Sequence, residues 1–326
     1  MTQGSKRSAQ PLSLDGLRTT SLANRPSKVD AARFAKPWHA GQPFRDFLAS
    51  LPTCLAADQL RQAVHAITQA VRHGRIVLLG MGAHVIKVGL NPILIDAIRR
   101  GLVNGLALNG AGIIHDVELA LAGKTSEDVG AHLDTGQFGT AREPAELIHA
   151  AVARGYAQGS VGLGQAVGQQ LLEQAPAHLD LSLLATAARH AVPVTVHVAL
   201  GTDIIHMHPA MDGAAMGALS YHDFRVFCRL VSSLEQGVFI NVGSAVIIPE
   251  VFLKAVNVVR NLGYSLDGLT TINMDFQRHY RPQVNVVERP TAGCGTGITL
   301  IGHHEIMLPL LFAMVQEDLA SGSNHA

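Results

Sequence analysis

The stretch around Val77–Asp116 constrains the fold of this chain more than any other part of the sequence. It contains two apolar runs of strand length, Ile76–Leu79 and Leu102–Leu108, and each run stops at glycine-rich residues. An amphipathic stretch between the two runs predicts the order strand, helix, strand, helix. A strand that ends in a glycine turn and opens a helix leaves backbone N–H groups free to bind an anion or a dinucleotide. The two turns of this kind are Gly80-Met81-Gly82-Ala83 and Asn109-Gly110-Ala111-Gly112.

Further apolar segments predict additional strands at Val192–Leu200, Gly237–Val242 and Leu269–Asn273. Helical candidates separate these segments, and a closing helix is expected from about His304 to Leu319. Strands that are apolar on both faces are typical of a parallel sheet with helices on both sides. Ligands of such sheets bind outside the carboxyl ends of the strands. We therefore predict a Rossmann-like α/β fold in which the polar residues after each strand share one rim.

The chain is predicted to have two regions. Residues 1–43 are rich in Ser, Arg, Lys, Gln and Pro and lack a sustained apolar period, which indicates a flexible tail followed by an extended arm. Trp38 is a candidate anchor of this arm to the body or to a neighbouring subunit. Residues 44–326 are expected to form one large α/β domain.

The amino-acid composition indicates which kinds of partner the protein can bind. The chain has 326 residues, of which 48% are hydrophobic and 15% charged, with a formal net charge of zero. Average soluble domains are about 25% charged, and no apolar run reaches the roughly 18 residues of a membrane span, so the apolar excess predicts a homo-oligomer. Balanced charge argues against nucleic acid or an anionic membrane as partner. Three scattered cysteines exclude a disulfide framework, and the polar N-terminus without a signal core predicts a cytoplasmic protein.

An aspartate and two histidines follow the predicted strand Val192–Leu200. If the segment after this strand is extended, Asp203, His206 and His208 point in related directions and can ligate a metal. The residues alone leave metal binding and substrate binding open, and packing is the simplest role for either histidine.

The glycine turns carry other candidate residues. Gly80 and Gly82 lack the third glycine of the dinucleotide fingerprint, so a simple tight turn is the alternative. Asp116 follows the second turn and either contributes to a ligand site or complements the helix dipole. Lys87 can pair with a phosphate or act as an amine nucleophile, or it can be a solvated lysine. His303-His304-Glu305 opens the last helix, and these residues either cap that helix or contribute to a site.

Five motifs in order along the chain, GAHVIKVGL, LNGAGIIHDVE, ALGTD, FINVGSAV and TTINMDF, resemble the deoxyhypusine synthase family over roughly Ile76–Pro290. The resemblance implies an NAD-dependent α/β enzyme, assembled as a homotetramer of tight dimers with active sites at the dimer interface. In that family NAD oxidises spermidine, and a lysine carries the aminobutyl group to a translation factor. The family's cofactor positions correspond here to Ala83, His84, Lys87, Asn109, Gly110, Ala111, Asp203, Gly243 and Ser244.

The chain departs from the family at the polyamine end of the site. The family's catalytic lysine lies in a Trp-Gly-Lys stretch, but the corresponding segment Val284–Thr291 has neither lysine nor tryptophan, and its nearest basic residue is Arg289. Arginine stays protonated and cannot form an imine. The family's two acidic residues after the second glycine turn are Ile114 and His115 here. We therefore do not expect deoxyhypusine synthesis itself.

These observations predict an NAD-dependent transferase or oxidoreductase that acts on a small amine, a polyamine or an amino-acid-like substrate. The candidate catalytic residues are His206, His208, His115 and Lys87. The candidate cofactor-binding residues are the family positions together with Gly80, Gly82 and Asp116, and no metal is expected in this interpretation. The alternatives are a metal-dependent hydrolase or lyase that uses the His/Asp cluster, and a non-catalytic nucleotide-binding protein.

Overall fold

The computed structural model describes residues 9–322 and is built around one sheet. The strands are β1 (Val77–Met81), β2 (Gly105–Asn109), β3 (Val194–His197), β4 (Val238–Val242), β5 (Thr270–Asp275) and β6 (Thr296–Ile301). All neighbouring pairs are parallel, and the order across the sheet is β3-β2-β1-β4-β5-β6. This is the strand order of a Rossmann fold, and it confirms the predicted α/β fold class.

The strand order reverses between β1 and β4, at the centre of the sheet. β1 pairs with β2 on one side and with β4 on the other, where Gly80 lies opposite Asn241. At such a reversal the connections after the two strands leave in opposite directions, and a crevice opens beyond their carboxyl ends. The fold therefore singles out the residues that follow β1 and β4 as the expected place for a ligand.

Helices cover both faces of the sheet. They are α1 (Phe44–Ser50), α2 (Leu55–Arg72), α3 (His84–Lys87), α4 (Asn91–Arg99), α5 (Gly110–Ala122), α6 (Val129–His132), α7 (Arg142–Gln158), α8 (Leu163–Gln174), α9 (Leu183–Arg189), α10 (Gly213–Val231), α11 (Ile247–Asn261), α12 (Tyr280–Pro282) and α13 (His304–Gly322). A π-helix, Gln283–Glu288, follows α12. The predicted closing helix is thus confirmed as α13.

The sheet has a hydrophobic core on each face. On one face, aliphatic side chains of the strands pack against α2, α4, α5 and α13. On the other, Phe227 of α10, Phe239 of β4 and Phe252 of α11 are fully buried, and the rings of Phe239 and Phe252 stack with their centroids 3.8 Å apart. Burial on both faces is why the strands are continuously apolar and do not alternate.

The outer edge of β3 is closed by side chains of α10. Ser220 Oγ donates to the Val196 carbonyl at 2.9 Å and accepts from the Val198 N–H at 3.2 Å. The buried carboxylate of Asp223 accepts from the Val196 N–H at 2.8 Å and from the Gly164 N–H, at the start of α8, at 3.0 Å. An open edge would leave these backbone groups free to pair with another strand, so the two side chains satisfy the edge and protect it.

The predicted elements agree with the structure in most of the sheet. The five predicted strands correspond to β1–β5, whereas β6 was not predicted. A break in the first crossover at Asn91-Pro92 was expected, and α3 and α4 do separate there. Asn91 is not the N-cap, however; its side chain is buried and donates to Asp116 Oδ1 at 3.1 Å and to the Leu181 carbonyl at 2.8 Å.

The arm before α1 is largely exposed. Residues 1–8 of the predicted tail lie outside the described residues, and from residue 9 onward the only helical turns before α1 are Leu22–Asn24 and Ala31–Arg33. Trp38 contacts Phe47 of α1 edge-on, with ring centroids 6.4 Å apart. The division at residue 43 stays a prediction. In the part of the chain that the structure describes, no helix is long and apolar enough to cross a membrane.

Candidate functional site

Residues from three separate strand ends line one cleft beside the carboxyl edge of the sheet. Lys87 comes from α3 after β1, Ala111 and His115 come from α5 after β2, and Asp203 follows β3. The cleft has a volume of about 190 Å³, and Glu118 also lines it. Lys87 is exposed and makes no hydrogen bond or ion pair within residues 9–322, so its ammonium is free to meet a ligand. The structure thus brings together four of the predicted site residues.

The glycines of the predicted cradles are needed first by the chain itself. A Cβ at Gly82 would collide with the Gly243 carbonyl oxygen, and a Cβ at Gly110 would collide with the carboxylate of Asp203. The side chain of Asn109 caps α5 by accepting from the Gly112 N–H at 3.0 Å. Both glycines are therefore required by close contacts within the chain, and the carboxylate of Asp203 occupies the space beside Gly110.

Asp203 is the best candidate for a ligand-binding carboxylate in this cleft. Its side chain is 9% exposed, and Oδ2 is buried with no hydrogen-bond partner. Burial raises the pKa of Asp203, while the His206 ring, with Nε2 3.9 Å from Oδ2, acts in the opposite direction. A buried acceptor without a donor costs free energy, so a hydroxyl or amine of a ligand beside Oδ2 would relieve that cost.

The segment after Asp203 is not extended, which corrects the predicted metal arrangement. Residues Ile204–Met207 form a 3-10 helix, so His206 and His208 do not point in the same direction. His206 Nδ1 accepts from the Gly201 and Asp203 N–H groups at 3.1 and 3.2 Å. His208 stacks on His149 with ring centroids 5.5 Å apart.

His206 thus forms hydrogen bonds within its own segment, and His208 packs against α7. The described residues also contain no group of three His, Cys, Asp or Glu side chains placed to hold a metal. Whether His206 or His208 takes part in catalysis stays a prediction.

His115 belongs to a short hydrogen-bonded chain in the wall of the cleft. Its Nδ1 lies 2.6 Å from Thr125 Oγ1, which donates to Glu118 Oε2 at 2.6 Å. Burial acts to raise the pKa of Glu118, but hydrogen bonds from His115 and Thr125 outweigh it and leave the pKa below its ordinary value. The wall thus presents a carboxylate whose charge is stabilised by its neighbours.

Asp116 was predicted to bind cofactor, but the structure gives it a different role. Its carboxylate has no exposed surface and accepts from Asn91 Nδ2, Ser182 Oγ and the N–H groups of Leu183 and Leu184. These donors include the start of α9, so Asp116 caps that helix and not its own helix α5. Burial raises the pKa of Asp116 to about 6. Its carboxylate is therefore occupied by donors of the chain itself.

The other half of the rim follows β4 and β5. Gly243 has a φ of 62°, and a Cβ there would lie 2.7 Å from Cε1 of His304. Ser244 Oγ accepts from the Ile248 N–H at 3.2 Å and so serves the start of α11. Asn241 donates to Asn273 Oδ1 at 2.7 Å, which links the ends of β4 and β5.

A cluster of aromatic and titratable side chains lies here, and of its members only His84 was among the predicted site residues. His304, at the start of α13, is 1% exposed, and its ring centroid lies 5.4 Å from that of His84 and 6.0 Å from that of Phe276. Its Nε2 is 4.0 Å from Oδ1 of Asp275, the last residue of β5. The sequence signal was His303-His304 beside Asp275 at a strand end, which helix capping explained equally well.

The segment that corresponds to the family's lysine region contains no amine nucleophile. It lies largely in the π-helix Gln283–Glu288, and Arg289 after it donates to Asn285 Oδ1 at 3.0 Å. Asn285 is itself buried and donates to Glu250 Oε1 at 3.0 Å. This segment is therefore held by side-chain contacts of its own.

No protein-family model matches this chain, and no curated protein matches its sequence. Solved structures do resemble it. AgrE, in a ternary complex with ornithine and NAD+, has 12% identity and a TM-score of 0.51 over 82% of this chain and 33% of its own. A conserved protein from Methanococcus maripaludis S2, described as LOR/SDH, has 14% identity and a TM-score of 0.50 over 97% of this chain and 76% of its own.

A protein from Entamoeba histolytica described as a deoxyhypusine synthase has 11% identity and a TM-score of 0.49, covering 86% of this chain and 95% of its own. The likeness to AgrE and to the Methanococcus maripaludis protein supports the α/β fold described above. The chain spans about a third of the length of AgrE. At these identities the likeness concerns the fold and leaves the reaction open.

Proposed function

We propose that this chain is an NAD(H)-dependent enzyme that acts on a small amine or amino-acid-like substrate. The observation that carries the proposal is the reversal of strand order between β1 and β4, flanked by polar clusters on both sides. Lys87, His115 and Asp203 lie on the side of β2 and β3, while His84 and His304 lie towards β4 and β5. An extended dinucleotide is the type of ligand that spans such a crevice in a Rossmann fold.

The residues on the rim match the groups of a dinucleotide. Lys87 supplies a free cation for the diphosphate, and Asp203 Oδ2 is a buried acceptor suited to a ribose hydroxyl. When bound, NAD would accept or donate a hydride. The remaining predicted positions lie at strand ends and helix starts on the same rim, and their contact with cofactor stays a proposal; they are Ala83, His84, Asn109, Gly110, Ala111, Gly243 and Ser244.

Carboxylates at the two ends of the crevice are suited to an amine or amino-acid substrate. Glu118 in one wall and Asp275 at the end of β5 are carboxylates that can accept from an ammonium group. AgrE, which shares the fold, has been solved with both ornithine and NAD+ bound. We extend this pairing to the present chain as a proposal, together with a cytoplasmic location and a homo-oligomeric state.

Thermal unfolding with NAD+ and NADH tests the proposal. At about 100 times the dissociation constant, a ligand raises the free energy of unfolding by about 2.7 kcal/mol. We expect stabilisation of the wild type and a clearly smaller response of Lys87→Met, because the variant lacks the cation. Lys254→Met, which removes a lysine from the outer face of α11, is the matched control and should respond like the wild type.

Absence of any response to either nucleotide at millimolar concentration would overturn the proposed cofactor. If NAD+ stabilises the protein, incubation with L-ornithine and with spermidine, followed by the absorbance of NADH, tests the substrate class. Equal stabilisation of wild type and Lys87→Met would place the nucleotide away from this cleft.

A further inference from the structure

The most unusual buried side chain on the rim is His304. Its ring lies over Gly243 at the end of β4, beside the central crevice, with only 1% of the residue exposed. Neither ring nitrogen has a well-aligned hydrogen-bond partner. The Met274 carbonyl lies close enough to interact with the ring, and it also accepts from the Gly243 N–H at 3.0 Å.

An imidazole buried in this way is costly as a packing residue. Leaving a buried polar group without a partner costs about 1–3 kcal/mol, and an aliphatic or phenyl side chain could fill similar space without that cost. The nearest carboxylate oxygen, Asp275 Oδ1, is 4.0 Å from Nε2, which is too far for a direct hydrogen bond. The arrangement instead leaves a ring nitrogen available to a proton or to a group that carries one.

The charges around the ring are mixed. Burial lowers the pKa of His304, and the nearby His84 acts in the same direction, while Asp275, the Met274 carbonyl and Glu305 act to raise it. His279 faces the other oxygen of Asp275, with Nε2 4.0 Å from Oδ2, and the exposed His303 stacks on Phe276. Since burial prevails, the ring is neutral near pH 7 and can accept a proton there.

The side chains that pack against this ring are themselves exposed. Phe276 is 44% exposed, and its ring centroid lies 6.0 Å from those of both His84 and His304. His84 is exposed and follows β1, so it lies between the crevice and the buried ring. Two exposed side chains, Phe276 and His84, therefore lie against the buried ring of His304.

We propose that His304 is the proton-accepting residue of this site, that Asp275 stabilises its protonated form, and that His84 and Phe276 form its entrance. The proposal rests on the proposed function, since it assumes that the reacting end of the substrate lies beside β4. A ring nitrogen of His304 takes a proton from an N–H or O–H of the substrate, and the electron pair of the broken bond stays on the substrate nitrogen or oxygen. The imidazolium then passes the proton to solvent through His84.

Histidine ring NMR of protein labelled with 15N-histidine tests this role without a substrate. Loss of one set of ring signals in His304→Gln assigns the residue. We expect the wild-type ring to titrate reversibly with a midpoint below that of free histidine. Asp275→Asn should lower this midpoint by about 1–3 units, the effect of an opposite charge at this distance.

His197 provides the matched internal control. It is also buried and packs edge-on against Phe227 with ring centroids 5.2 Å apart. It belongs to β3, an edge strand that β2, β1 and β4 separate from β5. Its ring signals, assigned with His197→Gln, should not respond to Asp275→Asn. If Asp275→Asn does not fold, Glu305→Gln removes an exposed carboxylate that also faces His304, and it should lower the midpoint by a smaller amount.

A His304 ring that does not titrate between about pH 4 and 9 would overturn the proposal. A titration midpoint that neither Asp275→Asn nor Glu305→Gln changes from its wild-type value would also overturn it. NAD+ separates this failure from failure of the proposed function. If the ring titrates and responds to Asp275 while NAD+ does not bind, the proton site stands and the cofactor assignment fails. If NAD+ binds while the ring does not titrate, the cofactor assignment stands and the proton site fails.

Discussion

The carboxylate of Asp116 joins three segments of the chain at a single buried point. It accepts from Asn91 at the start of α4, from Ser182 before α9, and from the first N–H groups of α9. Four donors satisfy a carboxylate that would otherwise be very costly to bury. Because Ser182 is 66 residues away along the chain, local sequence could not show this role.

Asp116→Asn should destabilise the protein. An amide presents one acceptor oxygen and one NH2 group to a set of donors, so at least one buried N–H or O–H loses its partner. We expect a loss of about 2–4 kcal/mol in the free energy of unfolding, measured by urea denaturation. Asp180→Asn is the control, since that side chain is 82% exposed and should change stability by less than about 0.5 kcal/mol.

Asp203→Asn separates ligand binding from stability at the residue scale. The amide is isosteric, so the fold should be retained, but its NH2 group can no longer accept from a ligand hydroxyl at Oδ2. We expect the affinity for NADH, followed by its fluorescence, to fall about tenfold or more, which corresponds to about 1.4 kcal/mol.

Asp212→Asn is the matched control for Asp203→Asn. Asp212 caps α10 through the Ala214 and Ala215 N–H groups, and asparagine is an equally good N-cap. Unchanged NADH affinity in Asp203→Asn would remove Asp203 from the site.

At the scale of elements, the contact of Asp223 with the edge of β3 predicts how the stability of the protein depends on pH. Burial raises the pKa of Asp223 to about 7, well above its value in an unfolded chain. The folded protein therefore holds a proton there that the unfolded chain releases, from about pH 4 upward. The stability that this neutral form contributes is complete below about pH 4 and is lost as the pH rises through about 7.

Asp223→Asn removes this titration. The stability of the wild type relative to Asp223→Asn should decrease as pH rises between about 4 and 8, by on the order of 1 kcal/mol or more. Urea denaturation at several pH values measures the difference, and Asp134→Asn, at an exposed position, is the control for loss of one carboxyl. A difference that stays constant with pH would contradict the role of Asp223.

The pattern of apolar runs was sufficient to predict most elements but not all of them. β1–β5 are buried and strongly apolar, so their sequences alone identify them. β6 begins with exposed threonine and glycine residues and ends exposed, because it is the edge strand beside β5. The 3-10 helix Ile204–Met207 was missed because its cap is made by Asp203 and His206 side chains, which apolar periodicity does not report.

At the scale of the whole molecule, parallel strands explain why the rim was predictable. Residues after each strand must lie at the same edge, and Lys87, His115 and Asp203, which follow three different strands, do line one cleft, whereas His84, His206 and His208 do not line it. The His304 cluster combines the ends of β1 and β5 with the start of α13. That meeting depends on the position of α13 over β4, which no local sequence pattern specifies.

The exposed arm leads to a prediction about assembly. Between residues 9 and 43, apolar side chains such as Leu12, Leu14, Leu17 and Leu22 are 70–86% exposed, which is unfavourable for a single chain in water. We expect light scattering at micromolar concentration to give an oligomer and deletion of residues 1–43 to weaken it. A monodisperse species of 34.5 kDa would contradict this expectation.

The central claim is that a nicotinamide dinucleotide lies across the crevice between β1 and β4. A crystal structure of the protein grown with saturating NAD+ tests it most directly. We predict density that runs along the carboxyl edge of the sheet, from Lys87 and Asp203 to His84 and Gly243. No density on this rim at saturating NAD+, or density confined to the groove of about 590 Å³ beside β3, lined by Gln165 and Val194, would contradict the claim.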